Sequence, residues 1–126
     1  MKDYIYLIKC RPFRFYKIGM STTMPLERLR ALQTGSPFRL ELVAFAPVED
    51  AYGIEKSLHD KYSLWRVRGE WFGLAKEAVD EIEQYFHLLD EIDWTVQEQR
   101  DRLSQFLEEP RPVIRTGTGQ LVDELP

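Results

Sequence analysis

Tyr4-Ile5-Tyr6-Leu7-Ile8-Lys9, then Cys10-Arg11-Pro12-Phe13, then Arg14-Phe15-Tyr16-Lys17-Ile18-Gly19 is the stretch that decides the fold. The first run is rich in Tyr and Ile and reads as a strand. Pro12 and its neighbours break it, and Arg14 to Ile18 reads as a second short strand, so the pair predicts a hairpin. Gly19 is expected to end the second strand. Ser21-Thr22-Thr23 offers N-cap hydroxyls, and Pro25 suits a first helical turn, where a missing N–H costs nothing. Leu26, Leu29 and Leu32 give that helix an apolar side, and Thr34-Gly35-Ser36-Pro37 stops it.

Further out, Phe38 to Ala46 alternates as a third strand and Pro47 closes it. Glu49-Asp50 opens a second helix with acidic residues at its positive end, and Ala51, Ile54, Leu58 and Tyr62 form its buried stripe. Trp65 to Phe72 reads as irregular or briefly extended. Ala78, Val79, Ile82, Phe86 and Leu89 then lie at helical spacing, and a last amphipathic stretch covers Trp94 to Leu107. The expected architecture is α+β. A small three-stranded antiparallel sheet is flanked by helices, with an extra C-terminal helical segment and a flexible tail. Residues 1–74 read as the core, 75–109 as an acidic amphipathic extension packed on it, and 110–126 as the tail.

Composition narrows the chemistry. Of 126 residues, 44% are apolar, enough for a real core. Cys10 is the only cysteine, so no internal disulfide forms. The N-terminal apolar run is too short and too interrupted for a signal peptide, and no stretch approaches the ~18 apolar residues of a membrane span. The cytoplasm is the expected location, with no membrane partner. The net charge is −4, but residues 1–40 carry eight basic side chains against two acidic ones, whereas residues 75–126 carry five against thirteen. Such asymmetry hints at a polyanion-facing surface beside an acidic appendage, although scattered solvated charge gives the same count. Cys10, His59 and His87 lack zinc spacing, and there is no glycine-rich phosphate loop or nucleophile elbow.

The chemistry-bearing residues come in a fixed order. Tyr4-Ile5-Tyr6 precedes Lys17-Ile18-Gly19, with eleven residues from Tyr6 to Lys17, and Arg28 follows nine residues after Gly19. Glu55 lies in the second helix within Glu55-Lys56-Ser57-Leu58-His59, and Gly69-Glu70-Trp71-Phe72 closes the segment. Over residues 4–74 this order resembles the GIY-YIG nuclease superfamily. It is most similar to the T5orf172-type (Mug113-type) branch, whose second signature reads Tyr-Lys-Ile-Gly, as Tyr16 to Gly19 do here. Leu32 to Pro37, Leu-Gln-Thr-Gly-Ser-Pro, is similar to that branch as well.

The resemblance implies a metal-dependent endonuclease acting on DNA. Phosphodiester hydrolysis needs an activated water, neutralised phosphoryl oxygens and help for the leaving oxygen. Glu55 matches the single helix glutamate that holds the metal, and a hard oxygen ligand suits Mg²⁺, or Mn²⁺ in its place. Tyr6 matches the tyrosine beside the attacking water. Its ordinary pKa near ~10 makes it a poor base unless cations lower it. Lys17 stands where many members have tyrosine and is expected to favour a Tyr6 phenolate or bind phosphate. Tyr16, one residue away on a strand, faces the other way. Arg28 matches the catalytic arginine, whose guanidinium grips phosphate bidentately. His59, one turn after Glu55, is a candidate helper. Arg30, Arg66 and Arg68 join Lys17 and Arg28 as candidate nucleic-acid contacts.

Each of these residues also has an ordinary reading. Glu55 reads as a surface carboxylate, His59 as a structural histidine, the tyrosines as strand aromatics and Arg28 as a solvated helix residue. Trp71 and Phe72 are expected in the core, Gly69 in a turn, and Glu70 as a cap or a support of the site. Leu32 departs from the pattern, because some members carry histidine there. The alternative is therefore a weak or inactive module of this fold that binds DNA or a protein partner. The acidic C-terminal helices are a candidate surface for such a partner or for a homodimer.

Overall fold

The computed structural model of the chain describes residues 2–109, so the segment read as a flexible tail lies outside the described residues. Asp3–Cys10 forms β1 and Phe15–Ser21 forms β2, paired antiparallel as a hairpin in the register Tyr6↔Gly19 and Ile8↔Lys17. Helix α1 spans Pro25–Thr34 with its proline in the first turn. The hydroxyls before it do not cap it. Ser21 Oγ instead accepts from the Thr23 N–H and closes a local turn. Leu40–Val48 forms β3 along the other side of β1. Its start is pinned by Gln33, which donates to the Phe38 carbonyl and accepts from the Leu40 N–H.

Ala51–Lys61 forms α2, capped by the Asp50 side chain, which accepts from the Gly53 N–H at 3.0 Å. A 3₁₀ turn, Ser63–Trp65, leads into two very short strands, β4 (Arg66–Arg68) and β5 (Trp71–Gly73). Lys76–Glu91 forms α3 and Gln97–Glu108 forms α4. Among the described residues, no helix is long and apolar enough to cross a membrane.

The sheet therefore has five antiparallel strands in the order β3-β1-β2-β5-β4, not the three expected from sequence. The missed hairpin turns at Gly69, whose φ of +57° favours glycine. Its strands are three residues each, and Arg66, Val67 and Arg68 are all exposed, so neither strand shows a hydrophobic period. What holds β5 in place is pairing with β2 (Tyr16↔Phe72, Lys17↔Trp71), a partnership between distant segments that local pattern does not encode.

A second correction concerns Gly19. Strand β2 does not stop there but continues to Ser21. Glycine is needed because Tyr6 lies across it. A Cβ built on Gly19 would overlap the Tyr6 hydroxyl and stand 2.6 Å from its Cζ.

Alternation along β1 and β2 divides the core by sheet face. Ile5, Leu7, Tyr16 and Ile18 join Ile54 and Leu58 of α2, Val79, Ile82 and Phe86 of α3 and Leu103 of α4 in one large cluster. On the other face Tyr6, Ile8 and Leu40 form a small cluster under α1, packed against Leu29, Leu32, Leu42 and Trp71. At roughly 1.5–3 kcal/mol for each fully buried large apolar side chain, the first face holds most of the folding energy.

Candidate functional site

The small face carries the polar residues. Tyr6, 1% exposed, points from β1 over Gly19. Lys17, two residues before Gly19 on β2, points to the same side. Its Nζ lies 2.9 Å from Glu70 Oε1 and 5.9 Å from the centre of the Trp71 ring. Arg28 reaches in from α1, within hydrogen-bonding reach of the Tyr6 hydroxyl.

Glu55 and His59 arrive through an edge effect. Strand β5 covers the outer edge of β2 only from Phe15 to Lys17. Beyond that the Ile18 N–H donates to the Glu70 carbonyl at 3.1 Å. The Ile18 carbonyl lies on the same edge and accepts from His59 Nε2 at 2.7 Å. The Met20 N–H, two residues on and facing the same way, favours the ionised Glu55 carboxylate. Helix α2 thus brings two side chains to the edge that a longer β5 would have covered, and His59 takes one of its ladder bonds. The bond fixes the proton of His59 on Nε2, because a carbonyl only accepts. The same ring packs 5.1 Å from that of Phe72.

The electrostatics bind these groups into one set. Burial pushes the Tyr6 phenol up. The hydrogen bond and charge of Arg28 pull it down, and the Glu70 and Glu55 carboxylates push it up again. Burial also raises the Glu55 carboxyl, and the Glu70 charge adds to the rise. His59, the Met20 N–H and Lys17 act in the opposite direction. Arg28 and Glu70 therefore act on Tyr6, and Lys17, His59 and Glu70 act on Glu55, with Tyr6 and Glu55 joined to each other. Among the described residues, no group of three or more His, Cys, Asp or Glu side chains forms a metal cage.

The remaining candidates divide. Arg30 is exposed on another side of α1, with its carbonyl accepting from Thr34 Oγ1. Arg66 pairs with Phe72 and lies 5.3 Å over its ring, the ring that His59 also packs against. Arg68 pairs with Trp71 and lines a shallow hollow on the site face with Cys10, Phe15 and Val67. Leu32, one turn after Arg28, packs against the Tyr6 cluster and offers no proton. Glu70, read from sequence as a cap or a support of the site, is the residue whose contact with Lys17 sequence reasoning missed. Its one signal was its place directly after the turn glycine, and its contact with Lys17 depends on the unforeseen β2–β5 pairing.

No curated protein and no solved structure matches the chain. The family model of the T5orf172 domain matches residues 3–86, from the start of β1 into α3, and so spans every residue of the constellation. With well over half its length matched, the chain belongs to the T5orf172 domain family, a nuclease-related family associated with the GIY-YIG superfamily.

Proposed function

We propose that the chain is a metal-dependent endonuclease of GIY-YIG type that hydrolyses DNA phosphodiester bonds. One observation supports this above the rest. Arg28 of α1 and Glu55 of α2 both act on Tyr6 of β1, and Lys17 of β2 acts on Glu55, so the four are linked in one set. Two cations stand there beside a phenol and a carboxylate, the groups that phosphoryl transfer to water requires.

Glu55 is the residue that would hold a divalent ion. It is partly buried, and both its desolvation and the Glu70 charge make its ionised form costly, a cost that a cation relieves. One carboxylate with water completing the shell is a mode that Mg²⁺ accepts. Bound there, such an ion supplies Lewis-acid polarisation and lowers the pKa of water. Arg28 and Lys17 grip the phosphoryl oxygens and stabilise the charge that develops on them. Burial holds the Tyr6 phenol above its ordinary range and Arg28 offsets only part of that rise, so a bound cation would have to supply the rest before Tyr6 takes a proton from the attacking water. His59 has Nε2 committed to the Ile18 carbonyl, so only Nδ1 is left to exchange a proton.

A second reading, a binding module without catalysis, is favoured by one feature. The position one turn after Arg28 is an apolar leucine seated in a hydrophobic cluster, so α1 brings no second proton-transfer group. The two readings separate in a cleavage assay on supercoiled plasmid, single-stranded and branched DNA with Mg²⁺, Mn²⁺ or EDTA. Metal-dependent cleavage that falls by about a thousandfold or more in Glu55→Ala is expected. DNA bound but left intact with every metal would move the assignment to the binding module.

A further inference from the structure

Lys17 does not stand ready for a substrate. Its side chain is 12% exposed, and its Nζ is ion-paired at 2.9 Å with Glu70, whose own side chain is 41% exposed. Glu70 is delivered there by a fixed frame. Gly69 turns the chain at φ +57°, and the Glu70 carbonyl is tied to the Ile18 N–H at 3.1 Å. A carboxylate oxygen on a largely buried ammonium occupies the place that a phosphate oxygen would take. The same carboxylate acts on both Tyr6 and Glu55. At rest the site therefore sets two cations, Lys17 and Arg28, against two carboxylates, Glu55 and Glu70, which leaves little net attraction for a polyanion.

We propose that Glu70 is a positioning residue that occupies Lys17 in the resting site and releases it to a substrate phosphate. The inference rests on the reading of Lys17 as a phosphate ligand. It makes the grip on DNA conditional. Without a divalent cation to offset Glu55 and Glu70, phosphate has to compete with a carboxylate already in place. With the cation bound, the carboxylates are compensated and Lys17 changes partner. Glu70 thereby separates nonspecific adhesion to nucleic acid from productive binding.

Removing the Glu70 charge while keeping its shape exposes this behaviour. Glu70→Gln leaves the main-chain bond to Ile18 in place, and Lys17→Met keeps the apolar stem that packs by Trp71. Binding of a fluorescent single-stranded oligonucleotide is measured by anisotropy on the full chain in EDTA, where metal-dependent cleavage is silent. Glu70→Gln is expected to bind about three- to fivefold tighter than wild type. One added phosphate contact steepens its salt dependence by about 0.7 in the log–log slope. On the Lys17→Met background the same substitution should give no gain.

Equal or weaker binding by Glu70→Gln overturns the proposal. So does a gain that survives in Lys17→Met, which would be charge acting at a distance. Cleavage tests the nuclease reading separately. A protein that cuts DNA but shows no gain in Glu70→Gln loses only this inference. One that never cuts, yet shows the gain through Lys17, loses only the nuclease reading.

Discussion

On one face of the sheet Ile5, Leu7 and Ile18 are fully buried in a single cluster with Ile82 and Phe86 of α3. On the other face of the same two strands Tyr6, Lys17 and Gly19 meet Arg28, Glu55 and Glu70. The two faces are built from alternate residues of one hairpin, so they share a backbone and differ only in side chains. The first face is apolar and tightly packed. The second has a phenol and a carboxylate whose ionisation the surroundings oppose, and one ion pair that ties up a cation. The contrast indicates a division of labour in which the stability of the α2–α3 face offsets polar groups held in costly states on the α1 face.

The contrast is sharpened most by cutting into the large face. Phe86→Ala empties a side chain that is 1% exposed, and a loss of about 3–5 kcal/mol is expected in urea unfolding. Cleavage per folded molecule should change little, because Phe86 touches the opposite face from Tyr6. A loss under about 1 kcal/mol would mean that the α3 face does not carry the fold.

Gly19→Ala probes the seam between the two faces. The new methyl would meet the Tyr6 ring, with Cζ at 2.6 Å, so either the ring or β2 has to shift. Destabilisation of about 1–3 kcal/mol is expected. A displaced Tyr6 should lower cleavage by roughly a hundredfold, out of proportion to the loss of stability. Gly35→Ala is the matched control, since its methyl meets nothing within 4 Å and should leave both quantities near wild type. Equal behaviour of the two variants would break the claim that Tyr6 is positioned by contact with Gly19.

These particular residues show what the sequence could and could not tell. Parity along β1 and β2 put Tyr6 and Lys17 on one face and Tyr16 on the other, because each strand is long enough to alternate. Glycine signalled a special position at 19, but strand termination and close approach of a ring look alike in sequence, and the structure selects the second. The β4–β5 hairpin was invisible because three residues show no period. Arg66 and Arg68 illustrate the consequence. Two residues apart on a regular strand, they would share a face. The register shifts between them, however, so Arg66 meets Phe72 and Arg68 meets Trp71 on opposite sides. The Glu70–Lys17 contact escaped for the same reason, since it is fixed by pairing across β2 and β5 rather than by spacing.

The smallest expected effect bears most directly on the division between faces. Burial and the Glu70 charge hold the folded-state pKa of Glu55 above its unfolded value, so the folded protein keeps that proton longer. Its favourable contribution to stability is fully present below the unfolded pKa, near ~4, and is lost as pH rises through the folded pKa. At pH 7 the ionised Glu55 therefore weighs against folding. Glu55→Gln keeps the shape and an acceptor for the Met20 N–H while removing the charge. The variant should be the more stable protein at pH 7, by less than about 1 kcal/mol because the carboxyl is partly solvated, and the difference should close toward pH 4. Added Mg²⁺ should raise the melting temperature of the wild type and leave the variant unmoved, since only the carboxylate attracts the ion. A Glu55→Gln protein less stable than wild type at neutral pH, before any metal is added, would mean that the carboxylate is already satisfied by Lys17, His59 and Met20. The α1 face would then be as relaxed as the face behind it, and the case for a cation at Glu55 would lose its physical basis.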